Sequence, residues 1–298
     1  MPRTRSDRVP APLLVLVAIA SVQSGAALAR TLFDDLGASG TTLLRLGLSA
    51  LLLLAVLRPR VGSWSRQAWV ATALLGGAMA CMNLVFYLAL RTVPLGVAVT
   101  VEFVGPLLLA LVQTRRLLDA LWALLAAGGV VLLGADPSGA PLGGLGLALL
   151  AGLFWAAYIL ASARVGRLVA GVDGLAVALA VAALLVLPFG LGGASAVLDR
   201  PSLLAAAAGV AVLSSVLSYG LELIALRRIP TRVFGVLMSV EPAAAAVAGL
   251  VVLDQQLGTR EVVALLLVSL ASAGVTLGHR ESRPAPEAGE LVRSAPPA

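Results

Sequence analysis

The sequence predicts an all-α membrane protein with ten transmembrane helices in two inverted five-helix repeats. Hydrophobic residues make up 60% of its 298 residues, charged residues make up only 12%, and the mean hydropathy is +1.02. A water-soluble protein of this length needs a larger polar share to cover its surface. The second observation is that the apolar residues form runs long enough to cross a bilayer. The third is an internal repeat around Pro94 and Pro230.

Ten apolar runs, bounded by Arg, Pro, Gly and Asp, predict the ten helices. A membrane helix needs about 20 residues, whereas a barrel strand alternates apolar and polar residues over about ten. Runs such as 51–54 (LLLL) do not alternate. The first run comes after three arginines, an arrangement that is also typical of a secretory signal peptide. Its length and the apolar runs that follow it favour a transmembrane helix instead. In chain order the runs lie at residues 11–29, 37–57, 68–90, 95–113, 119–134, 142–162, 173–191, 202–226, 232–253 and 260–278.

The arginines predict the orientation of these helices. With the N-terminus in the cytoplasm, sixteen arginines fall on the inner side and four on the outer side, while Arg45 lies within a span. Because cytoplasmic loops carry the excess of basic residues, both termini are predicted to be cytoplasmic. The arginines form short groups between apolar runs and no single basic face, so nucleic acid is not a predicted partner. The outer loops carry the acidic residues Asp34, Asp35, Asp136, Asp199, Asp254 and Glu261.

The internal repeat indicates how the two halves are related. Residues 89–94 (ALRTVP) recur as 225–230 (ALRRIP), and the proline of each copy is followed twelve residues later by a second one, Pro106 or Pro242. The offset between the two copies is 136 residues for both prolines. Five helices per half is an odd number, so the second half enters the membrane from the opposite side, as in many secondary transporters. We therefore predict one repeat over residues 1–136, a second, inverted repeat over 137–279 and a disordered cytoplasmic tail over 280–298.

Four ionisable residues lie within predicted spans: Arg45, Glu102, Glu222 and Glu241. Each costs about 2.5 to 3.5 kcal/mol to insert, so each is a candidate functional residue. Glu102 and Glu241 have Ala, Gly or Pro as helix neighbours, which predicts that both point into the bundle. We assign Glu241 as the proton carrier and Glu102 as the group that meets a substrate ammonium. The structural alternatives are that Arg45 only neutralises Glu102 and that Glu222 is an interfacial anchor.

Further candidates are polar or aromatic residues within the spans. On the eighth predicted helix, Ser215, Ser218, Tyr219 and Glu222 recur at helical spacing and predict a polar stripe. Amides within spans also bond across helices, aromatic residues also form interface belts, and prolines are common in membrane helices, so these alternatives stay open. The remaining candidates are Gln23, Asn83, Tyr87, Trp155 and Tyr158 for binding, and Pro106 and Pro242 for helix kinks.

Six strings distributed along the chain carry a resemblance: 20–26 (ASVQSGA), 82–87 (MNLVFY), 92–96 (TVPLG), 101–106 (VEFVGP), 221–226 (LELIAL) and 237–242 (LMSVEP). They touch nearly every part of the chain from residue 12 to residue 278, and they resemble the drug/metabolite transporter superfamily of the EamA type, in particular its amino-acid exporters. The resemblance implies export of small amino acids such as threonine and homoserine, coupled to protons, from a bacterial inner membrane. With the two inverted halves, it predicts transport by alternating access.

Enzymatic activity, cofactors and metals are not predicted. The chain has no Lys for a phosphate-binding loop, its one His279 follows the last apolar run, and its one Cys81 lies inside an apolar run. The alternatives are efflux of other small metabolites or organic cations by the same fold, and a scaffold within the membrane that transports nothing. An acidic, aromatic cavity without Arg45 in its wall would favour organic cations. The oligomeric state is left open.

Overall fold

The computed structural model describes residues 10–112, 117–134, 139–169, 172–226 and 228–278. The predicted tail and the predicted boundary between residues 136 and 137 lie outside these ranges. Within them the chain forms thirteen α-helices. These are α1 (Ala11–Thr31), α2 (Phe33–Leu57), α3 (Arg66–Ala89), α4 (Leu95–Glu102), α5 (Val104–Val112), α6 (Leu117–Gly134), α7 (Leu142–Leu168), α8 (Asp173–Ala194), α9 (Pro201–Ala211), α10 (Ser218–Leu226), α11 (Thr231–Met238), α12 (Glu241–Leu253) and α13 (Thr259–Gly278).

Nine helical stretches in the described ranges are long and apolar enough to cross a membrane. The fifth predicted span corresponds to α6, whose apolar stretch Ala120–Gly134 is shorter than the other nine. The eighth span joins α9 to α10 through a π-helical segment, Val212–Leu217. An all-helical protein with multiple spans is therefore confirmed, and the count of ten spans stays a prediction.

The fourth and ninth predicted spans each consist of two helices. α4 ends at Glu102 and α5 begins at Val104, while α11 ends at Met238 and α12 begins at Glu241. Each interruption lies just before a proline, Pro106 or Pro242, which has no N–H to donate to the carbonyl four residues earlier. The bounds of α4 and α11 differ by 136 residues at both ends, which is the offset of the sequence repeat.

Helices of the first half pack against helices of the second half. α2 packs against α8, α3 against α7, α4 against α12 and α6 against α13. Small residues allow the close approach. A Cβ placed on Gly76 of α3 would lie 2.7 Å from the Ala178 carbonyl oxygen of α8, and one on Gly96 would lie 2.8 Å from the Ala246 Cα of α12. The core of the protein is therefore the interface between the two halves.

Several loops that the arginine distribution assigns to one side share one end of the bundle, here called the Asp35 end. Asp35 forms an ion pair of 2.6 Å with Arg200. The Arg30 Nε donates a hydrogen bond of 2.9 Å to the Leu90 carbonyl. The Leu95 N–H donates one of 2.8 Å to the Gln255 side-chain oxygen. Which side of the membrane this end faces stays a prediction.

Candidate functional site

Helices from both halves line a cavity of about 140 Å³. A cavity of roughly 150 Å³ holds a molecule the size of benzene, so this one suits a small metabolite. Its wall includes Arg45 and all three glutamates that lie within predicted spans. Of the nine residues predicted for binding or coupling, eight line it: Gln23, Arg45, Asn83, Glu102, Trp155, Tyr158, Glu222 and Glu241.

The ninth residue, Tyr87, lies behind the wall and holds Arg45. An Arg45 side-chain nitrogen donates a hydrogen bond of 3.0 Å to the Tyr87 hydroxyl, and the guanidinium lies 5.5 Å from the centre of the Tyr87 ring. Tyr87 is fully buried and packs against the ring of Phe33 at 5.5 Å between centroids. It therefore belongs to the core of the bundle and not to an interface belt.

Arg45 does not make the ion pair with Glu102 that the structural alternative requires. Both side chains are buried and both are described, yet no ion pair within 4.0 Å joins them. The Arg45 Nε has no hydrogen-bond partner among the described residues. Arg45 thus keeps a donor for a ligand while Tyr87 fixes the position of the guanidinium.

Glu241 lies at the first position of α12, next to the interruption in the ninth span. Its Oε1 accepts a hydrogen bond of 3.1 Å from the Gln23 amide of α1. Gln23 therefore does bond across helices, and both residues also line the cavity, so its role in binding stays a prediction. The Glu241 Oε2 and the Gln23 Oε1 are buried without a partner among the described residues, so this pair retains two acceptors.

Glu102 lies at the last position of α4, where the backbone of α7 comes very close. A Cβ on Gly152 would lie 3.1 Å from the Glu102 carbonyl carbon and 3.2 Å from its Cα. Gly105 faces Gly152 in the same way, since a Cβ there would overlap the Gly152 carbonyl. These two glycines let α7 support the backbone that presents Glu102 to the cavity.

Four other predicted residues also line the wall: Asn83, Trp155, Tyr158 and Glu222. The Asn83 amide donates a hydrogen bond of 2.8 Å to the Met79 carbonyl within α3, and not across helices. Trp155 packs edge to face on Phe103 at 5.3 Å between centroids. Glu222 is half-buried, and it lines the cavity besides being close to the end of α10.

Ser214 also lines the cavity and was not among the predicted residues. The predicted polar stripe contains Ser218, Tyr219 and Glu222, all of which do line it, but it includes Ser215 and not Ser214. On an ideal helix both serines lie near Ser218, at four and three residues before it, so helical spacing does not decide between them. In the structure both belong to the π-helical segment. The signal present in the sequence was only a pair of serines within an apolar run.

Known proteins resemble this chain along nearly its whole length. It is 44% identical over 281 residues to the threonine/homoserine exporter RhtA of Salmonella typhimurium, covering 93% of this chain and 95% of the relative. It is 42% identical over 272 residues to RhtA of Escherichia coli K12, covering 90% and 92%. A model of the EamA-like transporter family matches residues 142–277. The chain belongs to the EamA-like transporter family.

The resemblance stated from the sequence is thus confirmed. The relatives of this EamA-family protein are transporters and not enzymes. Its fold matches a solved crystal structure with a TM-score of 0.64 at 23% identity, covering 92% of this chain and 98% of the other. Together with the apolar helices, these matches identify a multi-pass membrane protein.

The chemistry of the cavity in this EamA-family protein suits a ligand that carries both charges. Arg45 offers a cation, and the three glutamates offer carboxyl groups within the same wall. A guanidinium matches the geometry of a carboxylate, and a carboxylate accepts hydrogen bonds from an ammonium group. Among the described residues, no group of three His, Cys, Asp or Glu side chains could hold a metal ion.

Proposed function

We propose that this EamA-family protein exports small amino acids such as threonine and homoserine across the bacterial inner membrane. The observation that carries the proposal is one buried cavity that contains Arg45 together with Glu102, Glu222 and Glu241. An α-amino acid has a carboxylate for Arg45 and an ammonium for a glutamate, here assigned to Glu102. The names of the relatives at 42% to 44% identity supply the substrate class.

Efflux of organic cations is the competing function, and Arg45 argues against it. That alternative requires an acidic, aromatic cavity without Arg45 in its wall, whereas Arg45 lines this one. A permanent cation in the wall repels a cationic ligand over the few ångströms that separate them. The same charge attracts the carboxylate of an amino acid. A scaffold that transports nothing has no need of four ionisable residues around a buried cavity, each costly to insert.

Transport by alternating access between two inverted repeats is part of the proposal. It is supported by α4 and α11, which have equal lengths and bounds 136 residues apart. It is also supported by the packing, because α2 with α8 and α6 with α13 pair equivalent helices of the two halves, and α4 with α12 pairs the fourth span with the ninth. Residues 1–136 and 137–279 are the proposed repeats.

The apolar core is consistent with a state that is closed at the Asp35 end. One continuous cluster of buried residues includes Leu32 and Leu36, Leu90 and Leu95, and Leu203, and joins both halves near that end. Val15, Ile19 and Ala225 belong to a separate cluster in the first half of α1 and near the end of α10, away from the Asp35 end. Opening the cavity toward the Asp35 end requires the first cluster to separate, which is the movement that alternating access calls for.

Proton coupling through Glu241 completes the proposal. The Glu241 carboxyl accepts a hydrogen bond from the neutral Gln23 amide and forms no ion pair with the described residues. It can therefore gain or lose a proton without breaking an ion pair. Proton binding that alternates with substrate binding would couple export to the proton gradient.

Efflux of labelled compounds from vesicles that contain the full chain tests the function. The panel contains threonine, homoserine and the cation tetraphenylphosphonium. We expect efflux of both amino acids, loss of this efflux in Arg45→Gln and Glu102→Gln, and no change in Glu261→Gln, a control glutamate outside the cavity. If only the cation leaves the vesicles, the proposed substrate class is wrong, but the protein is still a transporter. If nothing leaves, the scaffold alternative stands.

A topology reporter tests the proposed orientation. A reporter that works only in the periplasm, fused after Arg280, should give no signal, because sixteen of the arginines then lie on the cytoplasmic side. The same reporter inserted in the loop after Asp254 should be active. Activity at the first site and silence at the second would reverse the orientation.

A further inference from the structure

The π-helical segment of the eighth span holds an unusual serine. Ser214 is 1% exposed, it is one of the residues that line the cavity, and its hydroxyl has no hydrogen-bond partner among the described residues. A buried hydroxyl without a partner has lost its hydration with no hydrogen bond to compensate. π-helical segments are rare and often occur at functional sites. This combination points to a ligand as the partner of the hydroxyl.

Helix α1 holds the segment in place and leaves room for the hydroxyl. The Ser21 hydroxyl of α1 donates a hydrogen bond of 2.7 Å to the Leu213 carbonyl. One turn further along α1, a Cβ on Gly25 would overlap the Ser214 Oγ and would lie 3.1 Å from the Ser214 backbone nitrogen. Only glycine at this position allows the Ser214 side chain to stay where it is.

The hydroxyl of Ser218, one turn after Ser214, provides a comparison. Ser218 lines the same cavity, and it is equally buried at 1% exposure. Its hydroxyl donates a hydrogen bond of 3.1 Å to the Ser214 carbonyl, so its donor is already used within the helix. Of these two serine side chains in the cavity wall, Ser214 is the one whose hydroxyl is available.

We propose that the Ser214 hydroxyl binds the side-chain hydroxyl of the substrate and makes the cavity selective for hydroxylated amino acids, an inference that rests on the proposed function. Arg45 and the glutamates complement the carboxylate and the ammonium group of an amino acid. The side chain of the substrate must therefore be recognised by a neutral group. A serine hydroxyl both donates and accepts, so it pairs with another hydroxyl in either direction. A ligand without a hydroxyl leaves Ser214 unpaired in the cavity.

One compound serves as the matched analogue for both proposed substrates. Replacing the hydroxyl of threonine or of homoserine by hydrogen gives the same molecule, 2-aminobutyrate, with both charges unchanged. Recognition of the charges therefore treats all three compounds alike. Any preference for threonine and homoserine over 2-aminobutyrate measures recognition of the hydroxyl.

The test compares the three compounds in proteoliposomes that contain the full chain. The readout is the ratio of threonine to 2-aminobutyrate, and of homoserine to 2-aminobutyrate, in competition for transport. We expect Ser214→Ala to lower both ratios about three- to tenfold, the effect of one hydrogen bond. Ser269→Ala, which removes an unpartnered hydroxyl outside the cavity, should leave the ratios unchanged.

A second variant perturbs the subsite without removing the serine. Gly25→Ala places a methyl group where the Ser214 Oγ lies, so it should lower the same ratios. Unchanged ratios in a folded Ser214→Ala protein that still exports threonine would overturn the subsite and leave the proposed function standing. Wild-type protein that moves none of the three compounds would overturn both.

Discussion

The close approach of α7 to Glu102 predicts that a single methyl group at Gly152 disturbs both stability and transport. In Gly152→Ala the new Cβ would lie 3.1 Å from the Glu102 carbonyl carbon and closer still to the carbonyl oxygen. Non-bonded carbon atoms prefer about 3.5 to 4.0 Å, so the two backbones must separate by at least about 0.5 Å. No side chain can absorb this shift, because the clash is between a Cβ and backbone atoms.

The size of the effect follows from the two roles of this contact. Overpacking a close helix contact costs about 1 to 3 kcal/mol, so the melting temperature should fall. Displacing a group that touches a ligand by about 1 Å can cost on the order of a hundredfold in rate. For the smaller shift of Glu102 we expect threonine efflux per folded protein to fall between about five- and a hundredfold.

A glycine on the same helix supplies the control. Gly146 is exposed on α7, and a Cβ there would meet nothing within 4 Å. Gly146→Ala should therefore keep wild-type efflux and melt at the same temperature or slightly higher, because alanine favours a helix by up to about 1 kcal/mol. Both variants are measured by efflux from proteoliposomes and by thermal unfolding in detergent. If Gly152→Ala behaves like Gly146→Ala in both measurements, α7 does not support Glu102 as described.

Three further outcomes follow from single contacts. Tyr87→Phe removes the hydroxyl that holds Arg45 but keeps the ring, so threonine efflux should fall about three- to tenfold. Thermal unfolding should show that the variant still folds, and unchanged efflux would mean that the Tyr87 hydroxyl has no role in the site. Glu241→Gln keeps the shape of the proposed proton carrier, so efflux driven by a pH gradient should fail while threonine exchange without a gradient persists; the reverse result would exclude that role. Asp35→Asn breaks the ion pair between Asp35, whose side chain is 31% exposed, and Arg200, whose side chain is 61% exposed. Because exposed ion pairs contribute little, the free energy of unfolding should change by less than about 1 kcal/mol, and a larger loss would contradict this.

The helices were largely predictable from the sequence because hydropathy marks the stretches that lipid can accept. The first run was predicted at 11–29, and α1 spans Ala11–Thr31. Hydropathy marks the apolar stretch, however, and not the end of the helix. The run at 142–162 therefore ends before α7 does, since the helix continues through Arg164 and Arg167 to Leu168.

Most candidate site residues were also predictable, for a related reason. A charged residue within a span is costly to insert, so it is rare unless it has a function. This argument identified Arg45 and the glutamates as candidates. The partners of these residues were not predictable in the same way. Tyr87 holds Arg45 because α2 and α3 bring residues 42 positions apart in the chain into contact. Composition gives no information about that pairing.

Ser214 shows where sequence reasoning from periodicity ends. Ser214 lies four residues before Ser218 and Ser215 lies three before it, so an ideal helix of 3.6 residues per turn places both near the polar face. In the structure Ser214, and not Ser215, lines the cavity within the π-helical turn at Val212–Leu217. The contact that accompanies this turn joins Ser21 to the Leu213 carbonyl, 192 residues away in the chain, and no local pattern reveals it. A helical wheel therefore finds the polar face of this span but does not decide which of the two serines lines the cavity.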